Sequence, residues 1–555
     1  MVEFSNGVKI HRKHKKKKIL QEYERLKINE IKESVNKDLE KNLSIVEQIT
    51  GKSSDVIIRR FTIGKQSVHK AAIVYIEGLV NDQTINNFIL KSAMIETRKV
   101  DLPENENQAR FLDILKKYDL NVGEINEDKK FKSLMHSVLS GQTAIFVEGI
   151  NYALIMDTRM WQMRSIESPE NETTIRGPRE GFIETLVVNT ALIRRKLRDP
   201  DLRIKFYQIG ERTQTDVAVV YIEGLANEKI IAEVNRRMDQ IKTDGILDSG
   251  YIEQFIEDST WSPFSQIQDT ERPDKTVGHL LEGKVIILAD GSPFALIVPT
   301  VFSSFFQSPE DYYERVWIMS FLRFIRFISL FFSLFAPSLY IAFSTFHPEM
   351  IPPNLLYAMA AGRSAVPFPT IIEAMLMEIT IEILREASVR LPGKVGQTIG
   401  IVGALVVGEA SVTAGLVSPL MVIVVSITAI CSFTAPSYNG AIAIRLIRFP
   451  MMLIAAFLGL YGIMLFTLVV ILHLNSLKSF GVPYFAPFSP LHLSAFKDVV
   501  FRAPLTWMIK RPIFLKPHDK HRDQKDVKTN DKSEAKSKAK SESNESGQSK
   551  SAAKK

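Results

Sequence analysis

Residues 72–81 read AIVYIEGLVN, and residues 218–227 read AVVYIEGLAN. Each is a short β-branched run that stops at a glycine, the composition of a buried strand entering a turn. A second pair follows. Residues 141–155 read GQTAIFVEGINYALI and residues 283–297 read GKVIILADGSPFALI. Both read as hairpins, with Glu148-Gly149 or Asp290-Gly291 at the turn. Gly78 and Gly224 lie 146 positions apart, and Gly149 and Gly291 lie 142 apart. Two matches at nearly one offset mark a duplicated α/β subdomain.

Between the copies stands Arg176-Gly177-Pro178-Arg179-Glu180-Gly181-Phe182. Arg176 and Arg179 offer planar forks of donors, which suit a carboxylate or phosphate. The plainer reading is a turn at a subdomain interface, its arginines paired with acids such as Glu167, Glu170 and Glu172.

Beyond residue 315 the text changes character. Hydrophobic residues make up 45% of the 555-residue chain, but the long apolar runs gather between Val316 and Leu472. Phe327–Phe346 is twenty residues without a charge, enough to span about 30 Å of hydrocarbon as a helix. Arg323 and Arg326 precede it, as at a cytoplasmic end. Phe449–Leu472 is a second such span, preceded by Arg445 and Arg448. Val395–Pro436 carries Glu409 as its sole charge, and Pro419 suggests two helices with a tight turn around Ser418.

The stretch from Pro367 to Arg390 is too charged for an ordinary span. Glu373, Glu378, Glu382 and Glu386 recur at intervals of five, four and four, which sets them on one helical face. Ile371, Met375, Ile379 and Ile383 form the opposite face. Either the helix lies amphipathically on a membrane surface, or it crosses with its acids toward a water-filled path, Arg385 pairing with Glu382 or Glu386. Buried carboxylates in lipid are a functional-site hypothesis by default, and rings of Glu favour cations. The next helix repeats Gly396, Gly400, Ala404 and Gly408 every four residues. That is a packing seam or a conduction surface, with Glu409 beside it. Charge bias puts the acidic helix crossing back inward, and the last span then ends outside. Arg502, Lys510, Arg511 and the basic tail ask for the inside instead.

The formal charge of +8 resides in the tails, since residues 1–20 carry +6 and residues 516–555 carry +5. A slightly acidic body argues against nucleic acid, and basic tails flanking apolar helices fit anionic lipid. No signal peptide precedes the polar first half, which places it in the cytoplasm. Cys431 is the single cysteine, so there is no disulfide framework. No nucleophile elbow, Walker loop or metal-spaced histidine set occurs, and neither an enzyme nor a cofactor is expected.

Several blocks in one order carry a family resemblance. They are Arg176–Phe182, residues 268–274 (QDTERPD), residues 281–299 (LEGKVIILADGSPFALIVP), residues 307–315 (QSPEDYYER), Pro367–Pro392, and residues 445–450 (RLIRFP). Together they resemble the A subunit of GerA-type spore germinant receptors, over about residues 60–510. The resemblance implies a multi-pass protein of the spore inner membrane, its N-terminal domain facing the core. It implies a permease-like B subunit and a lipoprotein C subunit as partners, and a homo-oligomer thought to form a nutrient-gated cation channel. A non-conducting scaffold and a paralogous sporulation channel are the alternatives.

The expected architecture is a duplicated α/β soluble N-terminal domain followed by a polytopic α-helical membrane domain. A basic, polar, helical or disordered extension covers 1–54, the subdomains cover 55–160 and 205–315, and a linker with Arg176–Phe182 and a helix-like run to Arg198 covers 161–204. The membrane domain of four to six helical segments covers 316–510, and a disordered basic tail covers 511–555.

Overall fold

The computed structural model describes residues 33–63, 69–86, 125–160, 169, 172–390, 403 and 406–522. It divides into two compact units, Met1–Thr300 with Lys478–Val482, and Val301–Leu477 with Pro483–Lys555.

The N-terminal unit holds two five-stranded antiparallel sheets of one topology. The first comprises β1 (Val56–Ile63), β2 (His69–Ile76), β3 (Ile125–Asp128), β4 (Thr143–Val147) and β5 (Ala153–Met156), in the order β1-β2-β4-β5-β3. The second comprises β6 (Leu202–Ile209), β7 (Thr215–Ile222), β8 (Gln268–Thr270), β9 (Val285–Ala289) and β10 (Ala295–Val298), ordered β6-β7-β9-β10-β8. The repeated β-branched runs are the central strands β2 and β7, and the repeated hairpins are β4-β5 and β9-β10. Strand alternation sends Ala72, Val74 and Ile76 to one face and Ala71, Ile73 and Tyr75 to the other. Both faces are covered, so these strands read as continuous apolar runs.

Helices α1 (Leu39–Thr50) and α2 (Phe131–Leu139) cover the first sheet. Helices α3 (Leu186–Lys196) and α6 (Pro273–Leu280) occupy the matching places on the second. On its other face lie α4 (Glu228–Gln240) and α5 (Ser249–Ile256). Leu39, Leu43 and Val46 are fully buried, each stabilising by about 1.5–3 kcal/mol. The repeat is therefore wider than the expected limits. Its first helix falls in the expected N-terminal extension and its counterpart in the expected linker. Their sequences share almost nothing, but their anchoring does. Leu39 N–H donates to Glu148 Oε2 and Leu186 N–H to Asp290 Oδ1, both at 2.9 Å. Gly149 N–H donates to Lys37 O and Gly291 N–H to Glu184 O, both at 2.7 Å. The hairpin's acid and glycine thus cap and hold the helix that begins each copy.

Glu253 of α5 accepts from the Ser265 hydroxyl at 2.9 Å. Burial pushes its carboxyl up to about 7 despite that bond. A carboxyl raised in the fold contributes stability below its unfolded value of 4.5, and that stability is lost as pH rises toward 7. Glu253→Gln is therefore expected to match the wild type near pH 4 and to exceed it by roughly 2–3 kcal/mol at pH 8. Urea unfolding of both proteins at the two pH values checks this. Equal stabilities at pH 8 would contradict it.

The C-terminal unit is helical. It contains α7 (Val316–Thr345), α8 (Pro353–Arg363), α9 (Thr370–Arg390), α10 (Pro419–Ser432) and the helical run α11 (Tyr438–Ser476). The turn expected near Ser418 is present, with the Ser418 hydroxyl capping α10. Helix α7 begins eleven residues before its uncharged stretch, so Arg323 and Arg326 lie within it rather than ahead of it. Arg323, 1% exposed, reaches Asp311 Oδ2 at 2.7 Å and Asp498 Oδ1 at 2.9 Å, and Arg326 reaches Asp311 Oδ1 at 2.8 Å. Asp498 belongs to the proline-rich segment after α11. That segment folds against the start of α7, where Ser320 Oγ also donates to Arg502 O at 3.1 Å.

Helix α11 is not one straight rod. Gly459 has φ 60° and ψ −142°, a conformation essentially confined to glycine, and it breaks the run. A Cβ at Gly462 would lie 2.8 Å from the carbonyl of Ile454, eight residues back, so the two limbs fold onto each other. Both limb ends confirm the reversal. A Cβ at Gly440 would lie 2.9 Å from Phe305 Cβ. Tyr484, whose N–H donates to Leu477 O at 3.1 Å, stacks 6.5 Å from the same Phe305 ring. A straight helix would put residues 440 and 477 about 55 Å apart.

Helices α7 and α9 run in opposite directions, while α9 and α10 run in the same one, since Glu373 at the start of α9 meets Ser418 at the start of α10. Ser344 near the end of α7 lies 3.4 Å from Thr370 at the start of α9. Arg385 toward the end of α9 donates to Ser432 Oγ at the end of α10, at 2.7 Å. Ser432 in turn shares a small cavity with Arg326, Leu330 and Ala441. The reversal at Gly459 thus returns the chain to the end at which α7 begins, where Arg502 also lies. Among the described residues, α7 and α11 have runs long and apolar enough to cross a membrane. Phe331, Phe332, Phe457, Tyr461, Met464 and Leu472 are exposed on them.

Candidate functional site

Helix α9 is fixed by both of its faces. Ala374 and Met377 are buried in the helical core. Ile371 and Met375 pack partly against that core, whereas Ile379 and Ile383 are 45% and 63% exposed. The acidic face looks inward. Glu373 and Glu378 are each 1% exposed, and Glu382 is half-buried. A carboxylate in such surroundings requires a partner, and each has at least one. Glu373 Oε2 accepts the Ser418 N–H at 3.0 Å, and Arg363 Nε lies 3.4 Å from its other oxygen. Glu378 Oε2 is 2.9 Å from Arg448 Nη2. Glu382 gathers three guanidinium groups, Arg445 at 3.0 Å, Arg385 at 3.2 Å and Arg448 at 3.3 Å.

Two pairs of helices therefore meet through charge. Two of the arginines come from one turn of α11, since Arg445 and Arg448 are three residues apart and share a face, and Arg385 comes from α9 itself. They arrive opposite Glu378 and Glu382, four apart on α9. Stacking sets their planes, with Arg385 4.5 Å over Phe433 and Arg445 5.8 Å over Tyr438. Charge bias alone assigned Arg445 and Arg448 to a flank of the last span. Their i, i+3 spacing sets them on one face, as the i, i+4 spacing does the acids, but spacing alone names no partner.

Glu386, one turn further along α9, is exposed and lines an open cavity beside Glu382. Glu409 is exposed on the helical residues 406–413. Gly408 is buried, and a Cβ there would meet Val422 at 3.5 Å, an ordinary contact. Gly396, Gly400 and Ala404, expected to continue that seam, lie outside the described residues.

The segment Arg176–Phe182 sits on the second α/β copy. Arg176, Gly177 and Arg179 are exposed, and Pro178 is half-buried. Glu180 is the acid of an ion pair with Lys196 at 2.8 Å and with Arg195. Burial pushes its carboxyl up, but Lys196 and Arg195 outweigh this and hold it below the usual carboxylate range. Glu172 pairs with Lys275 at 2.5 Å, while Glu167 and Glu170 lie outside the described residues. Arg272, 1% exposed, clasps the segment by donating to Pro178 O and Glu172 O, both at 3.0 Å. Arg272, from residues 268–274, thus holds the backbone of the segment.

Comparison with known proteins places this geometry. The family described as Bacillus/Clostridium GerA spore germination protein matches residues 44–514. Spore germination protein KA of Bacillus subtilis is 44% identical over 492 residues, covering 89% of this chain and 89% of the relative. The uncharacterized membrane protein YfkQ of the same organism is 42% identical, covering 90% of this chain and 95% of the relative. A crystal structure of the N-terminal domain of the A subunit of the Bacillus megaterium spore germinant receptor GerK3 is 38% identical. It covers 48% of this chain and 96% of that chain, with a TM-score of 0.37.

Proposed function

The chain belongs to the GerA spore germination protein family, and from that membership we propose that it is the A-type subunit of a nutrient germinant receptor in the spore inner membrane. It works with a permease-like B subunit and a lipoprotein C subunit, and its C-terminal unit crosses the membrane several times. Several copies together form a cation path. The observation that carries this reading is the acidic helix. Glu378 is 1% exposed and Glu382 is half-buried within an apolar helical unit. Placing carboxylates there is costly, and such costs are borne where ions or protons move. Arg323, Arg445 and Arg502 lie at one end of the helical unit, which supports a topology in which they share the core-facing side, as the positive-inside tendency asks.

Glu373, Glu378 and Glu382 are the residues we assign to the path, with Glu386 at its core-facing mouth. Helix α9 and the limbs of α11 are the moving parts, because the charge cluster joins them. Cation flux into liposomes reconstituted with the purified receptor tests the assignment. Glu378→Gln is expected to lower flux about tenfold, one decade for about 1.4 kcal/mol of lost attraction. Unchanged flux from an intact complex would point instead to a non-conducting scaffold.

A further inference from the structure

Beside the acid–arginine cluster opens a cavity of about 210 Å3, lined by Glu382, Arg385, Glu386, Tyr438 and Arg445 with apolar α11 residues. That volume is far above the roughly 10–15 Å3 that admits one water. The arginines that line it are not fully used. Arg445 Nε and Arg385 Nε are buried and have no hydrogen-bond partner, although the Arg445 side chain is only 9% exposed. A buried N–H left over on a guanidinium calls for an acceptor from outside the chain. A second groove, its wall mostly apolar, shares Glu382, Glu386 and Phe449 with this cavity and continues along Ile379, Ile383 and Ala387. Ile379 and Ile383 are exposed along it.

Charge decides among acceptors. Arg385, Arg445 and Arg448 are already matched in number by Glu378, Glu382 and Glu386, so a bare anion would add net repulsion. A group carrying both signs adds none. We propose that this cavity binds the headgroup of a zwitterionic phospholipid. Its phosphate sits against Arg385 and Arg445 where their side chains line the cavity, its amine rests against Glu386, and one acyl chain lies along Ile379, Ile383 and Phe449. The lipid would thereby brace α9 against the first limb of α11, at the end of the bundle where α7 begins. This rests on the membrane reading of the C-terminal unit.

The full-length protein is first washed in its membranes with alkaline carbonate. Release by that wash would overturn the membrane reading itself. Protein that stays is purified in detergent and examined by native mass spectrometry with phosphatidylethanolamine, phosphatidylglycerol or inorganic phosphate. Retention of phosphatidylethanolamine at least tenfold above the other two is expected. Arg385→Gln with Arg445→Gln should lower that retention about tenfold. Because those changes disturb partners of Glu382, the exposed Glu386→Gln is the second variant, and it should shift preference toward phosphatidylglycerol. Equal retention of the two lipids, phosphate bound as well as lipid, or an unaltered preference in Glu386→Gln would each overturn the proposal.

Discussion

Replacing Arg194 with alanine is expected to cost the N-terminal unit about 3–5 kcal/mol, the usual penalty for stranding one member of a buried ion pair. Arg194 is 1% exposed and grips Asp55 with two parallel bonds, Nε to Oδ2 and Nη2 to Oδ1, both at 2.9 Å. It also donates to Asp199 O at 3.0 Å and Leu202 O at 3.1 Å, so alanine would leave two carbonyls unmet as well. Asp55 precedes β1 in the first copy and Arg194 belongs to α3 of the second. Around them Ser54 N–H donates to Ile204 O and Ile204 N–H to Ser53 Oγ, both at 2.9 Å. The pair therefore fastens copy to copy. Hydrogen exchange should show peptides 54–63 and 202–209 losing protection first in Arg194→Ala, ahead of β4 and β9. Arg194→Lys keeps the charge but not the fork, and should recover only part of the loss. Wild-type protection in the alanine variant would show that the copies are joined by other contacts.

That interface also marks where sequence reading stopped. The central strands and hairpins were legible because packing on both faces preserved their β-branched text and the turn glycines. That α1 and α3 are copies of one helix was not. An amphipathic helix needs only apolar residues at the right spacing, so LEKNLSIVEQIT and LVVNTALIRRK diverged freely. What persisted was a pair of asparagines 147 positions apart. Asn42 Oδ1 accepts the Asn36 N–H at 2.8 Å, and Asn189 Oδ1 accepts the Ile183 N–H at 2.9 Å, each closing the loop before its helix. One asparagine per copy is too sparse to notice until the fold aligns them.

In the C-terminal unit the acidic face was legible from spacing, and its partners were not. Pairing across 63 and 66 positions depends on tertiary contact, which local periodicity does not carry. The reversal at Gly459 was hidden for a related reason. A glycine inside a long apolar run is ordinary in membrane-spanning helices, and only a backbone angle separates a packing glycine from a hinge. The stretch Phe449–Leu472, read as one span, is therefore divided between two limbs.

Arg448→Leu is the second change with a large expected effect. Arg448 is 1% exposed and lies 2.9 Å from Glu378 Oε2 and 3.3 Å from Glu382 Oε1. Leucine fills much of the space but leaves Glu378 without a cation, while Glu382 keeps Arg385 and Arg445. A loss of about 3–5 kcal/mol follows, read as a lowered melting temperature of the detergent-purified protein. The double variant Arg448→Leu with Glu378→Leu removes both charges, and exchanging a buried pair for apolar residues is often neutral or stabilising. Its stability should return to within about 1 kcal/mol of the wild type. Function then separates structure from conduction. If Glu378 serves only to hold α9 against α11, the double variant, restored in stability, should also germinate normally. If Glu378 belongs to a cation path whose charge Arg448 offsets, the single variant should conduct more and the stable double variant should conduct less than wild type. A double variant that is stable and conducts fully would remove Glu378 from the path and leave the acid–arginine cluster as a clasp between helices.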